Sequence, residues 1–166
     1  MLLRFDRIEK SENDLICLFQ MKSESNDIYW SGYSKAPVFE NFSNWYNAQL
    51  LRNDRRIWIV RQICEPYLPV GYLYITYENN VLKLSHGVVS SFRGLGVSLK
   101  IINFATNFCL TNYSKCELEA WIVENNLASI KSFLKNNFIE TGMLKKKFYE
   151  SFNSIVILIN YRFRKL

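Results

Sequence analysis

Gly87-Val88-Val89-Ser90-Ser91-Phe92-Arg93-Gly94-Leu95-Gly96-Val97-Ser98-Leu99 is the stretch that decides the fold. A strand-like run ends at Val89, a glycine-bearing turn follows, and a helical stripe through Leu99, Ile102, Ala105 and Cys109 starts at once. Such a junction aims several main-chain N–H groups at one point, beside the positive end of the helix dipole. Gly94 and Gly96 carry no side chain, so an anion can approach the main chain closely. Arg93 adds a full positive charge at the rim. Physically this is a diphosphate site, although a tight connection with no ligand would use the same two glycines.

The elements on either side fix the topology. Residues 56–63, 70–77 and 81–89 are rich in β-branched and aromatic side chains and read as strands. Pro66 and Pro69 punctuate the first gap, and Glu78-Asn79-Asn80 makes a hairpin of the second and third runs. Downstream come a helix over 96–108, a strand over 115–123 and a helix over 126–135, with Ile139 and Ile155 opening two last strands. Upstream, residues 2–7 read as a strand and 12–22 as a helix capped by Ser11. Residues 26–40, broken by Gly32 and Pro37, read as loop, and 41–51 as a helix capped near Asn41 or Ser43. The order β-αα-βββ-α-β-α-ββ is that of an α/β protein whose mixed sheet carries helices on both faces. Residues 1–166 are expected to form one domain. A dinucleotide fold is disfavoured, because the strand before the glycines is third in an antiparallel meander. No Walker lysine follows them, which argues against triphosphate chemistry.

Composition narrows the partners. The net charge of +6 is scattered except at Lys145-Lys146-Lys147 and at Arg162, Arg164 and Lys165, and neither cluster resembles a nucleic-acid platform. Cys17, Cys64, Cys109 and Cys116 form no CxxC pair and, with His86 the single histidine, make no plausible metal set. They read as buried thiols of a reducing compartment. No signal-like stretch opens the chain, and its longest apolar run, residues 155–159, falls far short of the ~20 residues a membrane span needs. A soluble cytoplasmic protein, monomeric or homodimeric, without nucleic-acid or membrane partners is expected.

Two segments carry a family resemblance. Arg93-Gly94-Leu95-Gly96-Val97-Ser98 resembles the acetyl-CoA motif of GNAT-superfamily N-acetyltransferases, Gln/Arg-x-x-Gly-x-Gly/Ala, with Ser98 in place of the last small residue. Asn126-Leu127-Ala128-Ser129-Ile130-Lys131-Ser132-Phe133, continuing to Asn137-Phe138, is similar to the family's Asn-x-x-Ala/Ser-x-x-x-Tyr-x-x-x-Gly-Phe. Asn137 stands at the glycine position, and asparagine is the next best residue for left-handed backbone.

The resemblance implies a GNAT-like fold, acetyl-CoA as co-substrate and no metal. It implies that the strand ending at Val89 splays from the strand over 115–123 to admit the pantetheine arm. Main-chain groups of Val88 and Val89 would bond that arm, residues Arg93, Gly94, Leu95, Gly96, Val97 and Ser98 would hold the diphosphate, and Asn126, Ser129 and Phe133 would flank the cofactor. Phe133 stands where the family commonly has a tyrosine that protonates the leaving thiolate. Phenylalanine has no proton to give, so Ser129, Ser132 or Tyr149 would serve, or the thiolate would leave unaided, or the site would bind without catalysis. As general base the candidates are His86, which titrates in the useful range, and Glu119.

For the acceptor, Trp30 and Tyr33 are the best ligand candidates, whereas Phe42 and Trp45 read as packing residues. The pattern looks like that of enzymes acetylating nucleotide-linked amino sugars. Acetyltransferases of protein N-termini are the competing enzyme class, but the carboxylate they carry at the position of Trp121 is missing.

Overall fold

The computed structural model describes residues 1–64, 66–113 and 115–164. Its strands are β1 (Leu3–Arg7), β2 (Arg55–Gln62), β3 (Leu68–Glu78), β4 (Val81–Val88), β5 (Glu117–Val123), β6 (Phe138–Tyr149) and β7 (Ser154–Phe163). The helices are α1 (Glu12–Lys22), α2 (Ser25–Ser31), α3 (Phe39–Leu50), α4 (Val97–Asn112) and α5 (Leu127–Leu134). One sheet runs in the order β1-β2-β3-β4-β5-β7-β6, antiparallel throughout except for the parallel β4–β5 pair that α4 connects.

Strand periodicity sorts the core onto two faces. Trp58, Val60, Leu73, Ile75, Leu82, Leu84, Ala120 and Ile122 pack under α4 and α5. Ile57, Ile59 and Tyr72 pack on the opposite face with Leu18, Met21, Phe42 and Tyr46 from α1 and α3. The mixed sheet with helices on both faces is therefore as expected from the sequence. So is the hairpin, whose Asn79 and Asn80 both hold positive φ (51° and 61°), and so is the left-handed Asn137 at 62°.

What positions the site is a failure of pairing. β4 meets β5 only at Val81↔Glu117, Leu82↔Leu118 and Lys83↔Glu119. Beyond that point β4 stays with β3 as far as Val88, and β5 stays with β7 as far as Val123. The sheet thus opens into a wedge, as the resemblance implies.

Some boundaries differ. Residues 26–40 are not all loop, because α2 occupies Ser25–Ser31 and places Trp30 on a helix. Its sequence is poor in helix formers and no side chain caps its N-terminus, so tertiary contacts hold it. Tyr29 and Trp30 pack on Phe152, and Ser151 Oγ donates to the Tyr29 carbonyl at 2.7 Å. The third helix starts at Phe39 behind Val38, not at an Asn41 or Ser43 cap, because Phe39 and Phe42 both pack on Phe19. α4 runs on to Asn112, whose Nδ2 donates to the Phe108 carbonyl at 2.7 Å. Of the four free thiols only Cys109 is buried. Among the described residues no group of three or more His, Cys, Asp or Glu gathers as a metal site requires, and no helix is long and apolar enough to cross a membrane.

Candidate active site

A cavity of about 1410 Å³ fills the wedge and continues across the sheet beneath α1, α2 and α3. The wall that β4 presents to the wedge follows from hydrogen-bond parity. Val89 N–H donates to the Val70 carbonyl at 2.9 Å, which directs Val89 and alternate residues of β4 toward β3. The main-chain groups of Val88 and His86 therefore point the other way, into the wedge. The Val89 N–H is taken by Val70 and its carbonyl accepts from Phe92 N–H at 2.9 Å, so of the two valines it is Val88 whose N–H faces the wedge.

At the mouth lies the glycine turn. Gly94 and Gly96 have φ of 75° and 77°, and a Cβ built on either meets nothing within 4 Å. Their side-chain-free faces look into open space. Lys100 is the first residue of α4 whose N–H reaches a main-chain carbonyl, that of Gly96 at 3.3 Å. Among the described residues the six amides from Gly94 to Leu99 find no main-chain acceptor. Arg93 lines the same space, its Nε donating to the Val88 carbonyl at 3.1 Å. Val97 and Ser98 line it too, whereas the Leu95 side chain is 62% exposed and lies outside, so only its amide can take part.

The opposite lip is α5. Asn126 caps it, its Oδ1 accepting from Ser129 N–H at 3.2 Å, and both residues line the cavity. Phe133 is buried at the base, with its ring centroid 5.6 Å from that of His86. His86 Nε2 lies 2.7 Å from Ser98 Oγ. The predicted pair of strand and first helical turn is thus bridged by a hydrogen bond between side chains. Burial pushes the His86 pKa down to about 4, so the imidazole is neutral at pH 7 and a poor general base there.

That depression has a consequence for stability. Between pH 6.5 and about 4 the unfolded chain binds a proton on His86 that the folded chain refuses, so stability falls as pH drops through this window. At pH 4.5 the loss attributable to His86 should be about 2.5 kcal/mol. Urea melts at pH 7 and 4.5 should show the His86→Gln variant losing less than wild type by about that amount. Equal losses would show that His86 takes up its proton in the folded chain as readily as in the unfolded one.

The other sequence candidates separate. Glu119 is 5% exposed but does not line the cavity. Its carboxylate accepts from Trp121 Nε1 at 2.9 Å and from Asn160 Nδ2 at 3.0 Å, with Arg162 at 3.8 Å. It is a strut that orients the Trp121 indole, which does line the cavity, and it is not placed as a base. Tyr149 and Trp30 pack together with Val123 at the end of β5, and Tyr33 lines the same cavity. The Tyr149 ring packs beneath Gly32, Trp30 is half-buried, and Tyr33 is 60% exposed. Ser132 Oγ is spent on the Ala128 carbonyl at 3.0 Å.

Sequence reasoning missed the polar cluster on the α1–α2 side of the cavity. Lys22 pairs with Asp27 at 2.7 Å and donates to Tyr72 Oη at 3.0 Å, while Tyr72 Oη donates in turn to Asp27. The Tyr72 ring crosses directly over Gly87, where a Cβ would stand 2.4 Å from it. A glycine inside a strand was the available signal for such a close approach. Glu24 ties this region to the glycine turn by accepting from Ser90 N–H at 2.8 Å and from Ser90 Oγ at 2.6 Å.

No family model matches the chain, and no curated protein matches it in sequence. Solved structures do match it in shape. The spermidine N-acetyltransferase of Vibrio cholerae, solved in complex with CoA and spermine, superposes with a TM-score of 0.83 at 16% identity, covering 96% of this chain and 94% of its own. The same enzyme in a dodecameric structure gives 0.75 at 16% identity, covering 96% and 92%. A candidate acetyltransferase from Acinetobacter baylyi gives 0.77 at 19% identity, covering 99% and 93%. At these identities the likeness is one of fold, which this chain shares with these proteins over nearly its whole length.

Proposed function

We propose that this protein is an acetyl-CoA-dependent N-acetyltransferase acting on the primary amine of a small molecule. The observation that carries the reading is the alignment of two openings, the β4–β5 wedge and the six amides of 94–99 that lack a main-chain acceptor. Donors so arranged suit a diphosphate, and Arg93 balances its charge. The main-chain edge of His86 and the Val88 N–H, which face the wedge, suit the amides of a pantetheine arm. Acetyl-CoA supplies the acetyl group as a thioester, whose carbonyl carbon takes the amine while the thiolate departs. Phe133 and neutral His86 keep the base of the wedge apolar, and with a thiol pKa near ~8.5 the thiolate needs no protein acid to leave. Where the amine is not already neutral, a solvent-borne base takes the ammonium proton before attack, and the second N–H proton passes through water to the departing thiolate as the C–S bond breaks.

For the acceptor, leaving aside Arg93 and the α5 lip, the described lining holds three cations, Lys22, Lys35 and Arg55, against two carboxylates, Asp27 and Glu150. Asp27 is paired with Lys22, and Glu150 accepts from Ser34 Oγ at 2.8 Å. A polycation such as spermidine would find little to bind. An acceptor with its own negative charge fits better, and a nucleotide-linked amino sugar adds ring faces for Trp30, Tyr33 and Trp45. The test is thiol release from acetyl-CoA over a panel of nucleotide amino sugars, polyamines and amino-terminal peptides. Turnover is expected with the amino sugars. Equal turnover of spermidine would overturn the acceptor class, and CoA binding without turnover on any amine would overturn the transferase reading in favour of a binding module.

A further inference from the structure

The charge imbalance has a specific address. Arg55 opposes Thr76 in the β2–β3 ladder and Tyr74 opposes Ile57, so Arg55 and Tyr74 are diagonal neighbours on adjacent strands, on the face beneath α1 and α3. Residues in that relation lie ~7–8 Å apart, their Cβ atoms somewhat closer, within reach of one shared ligand for two side chains this long. Both residues line the cavity.

Each has something left to give. Arg55 Nε donates to Thr76 Oγ1 at 3.0 Å and Nη1 to Gln49 Oε1 at 2.9 Å. Both partners are neutral, and they hold the guanidinium still without compensating it. Among the described residues Arg55 has no ion-pair partner, because the neighbouring Asp54 carboxylate is taken by Arg52, whose Nε lies 2.9 Å away. Tyr74 Oη is buried and has no hydrogen-bond partner, and the ring is fixed by Tyr72 and Trp45 at 5.0 and 6.1 Å. An orphaned hydroxyl beside an uncompensated guanidinium is a costly arrangement for a protein to keep empty.

We infer that Arg55 and Tyr74 form the seat of an anionic group, phosphate or carboxylate, carried by the same molecule that presents the amine. The inference rests on the transferase reading and sharpens it. Tyr74 opposes Ser85 of β4, two residues past the last β4–β5 pair, so the seat flanks the base of the wedge. An amine delivered there has its negative group held on the face away from α4. Both groups act as donors, which admits an anion and turns away a polyamine.

The test uses the protein saturated with CoA, so that the amide cradle is already filled. Uridine diphosphate and, separately, glutamate are titrated into wild type, Arg55→Gln and Tyr74→Phe, with melting temperature and CoA affinity as controls. At least one probe should bind the wild-type CoA complex, and which one does so distinguishes phosphate from carboxylate. Its affinity should fall about 10-fold or more in Arg55→Gln and about 3-fold in the isosteric Tyr74→Phe, with CoA affinity unchanged. Undiminished probe affinity in both variants, or no binding of either probe to a wild-type protein that does bind CoA, overturns the seat alone. Failure of wild type to bind CoA removes the transferase reading and the seat with it.

Discussion

Gly96→Val should lower affinity for CoA by about 100-fold or more while the protein remains folded. Gly96 caps α4 with φ of 77°, a conformation that an L residue enters at a cost of ~1–2 kcal/mol and a β-branched one enters still less readily. Its Cβ would meet no protein atom, so packing gives no reason for the chain to unfold. The added side chain instead projects into the space that six acceptor-less amides face, or the backbone rotates and scatters those amides. Either response removes the anion site. A variant with wild-type CoA affinity and an unchanged melting temperature would mean that the turn is a connection and nothing more.

Gly87→Val should cost about 3 kcal/mol, the upper end for forced overpacking, and lower the melting temperature by about 6–12 °C. The reason is the Tyr72 ring, whose atoms lie 2.4–2.7 Å from where a Cβ at position 87 would be. A free side chain would swing aside, but Tyr72 Oη is held by Lys22 and Asp27. The ring can yield only by breaking a half-buried ion pair. Tyr72→Ala should be destabilising alone and yet rescue part of the loss, so that the two changes together cost less than their sum by about 1.5 kcal/mol. Strict additivity, read from urea midpoints of the four proteins, would show that the ring and the glycine do not press on one another.

The sequence disclosed what local chemistry dictates. Glycines 94 and 96, the paired asparagines 79 and 80, and Asn137 each carry a backbone requirement in the residue itself, and each has the positive φ that requirement implies. The strands flanking them alternate cleanly enough to give topology. α2 was hidden because its stability comes from Phe152 and Ser151, far along the chain. The polar cluster on the α1–α2 side was hidden for the same reason, since Tyr72 meets Lys22 across 50 positions and Asp27 across 45. Glu119 illustrates the converse. Its residue type suits a base, but Asn160, 41 positions away, turns it into a strut. For Val88 and Val89 the residue types were equally suitable, and a single hydrogen bond to Val70 decided which one faces the wedge.

In the proposed function the turn after β4 grips the diphosphate of CoA. Calorimetric titration of CoA into the wild-type protein should give one saturable site per chain, with a dissociation constant at or below about 100 μM, about 5.5 kcal/mol of binding free energy. Absence of saturable heat up to about 1 mM, where only about 4.1 kcal/mol would be needed, would contradict it.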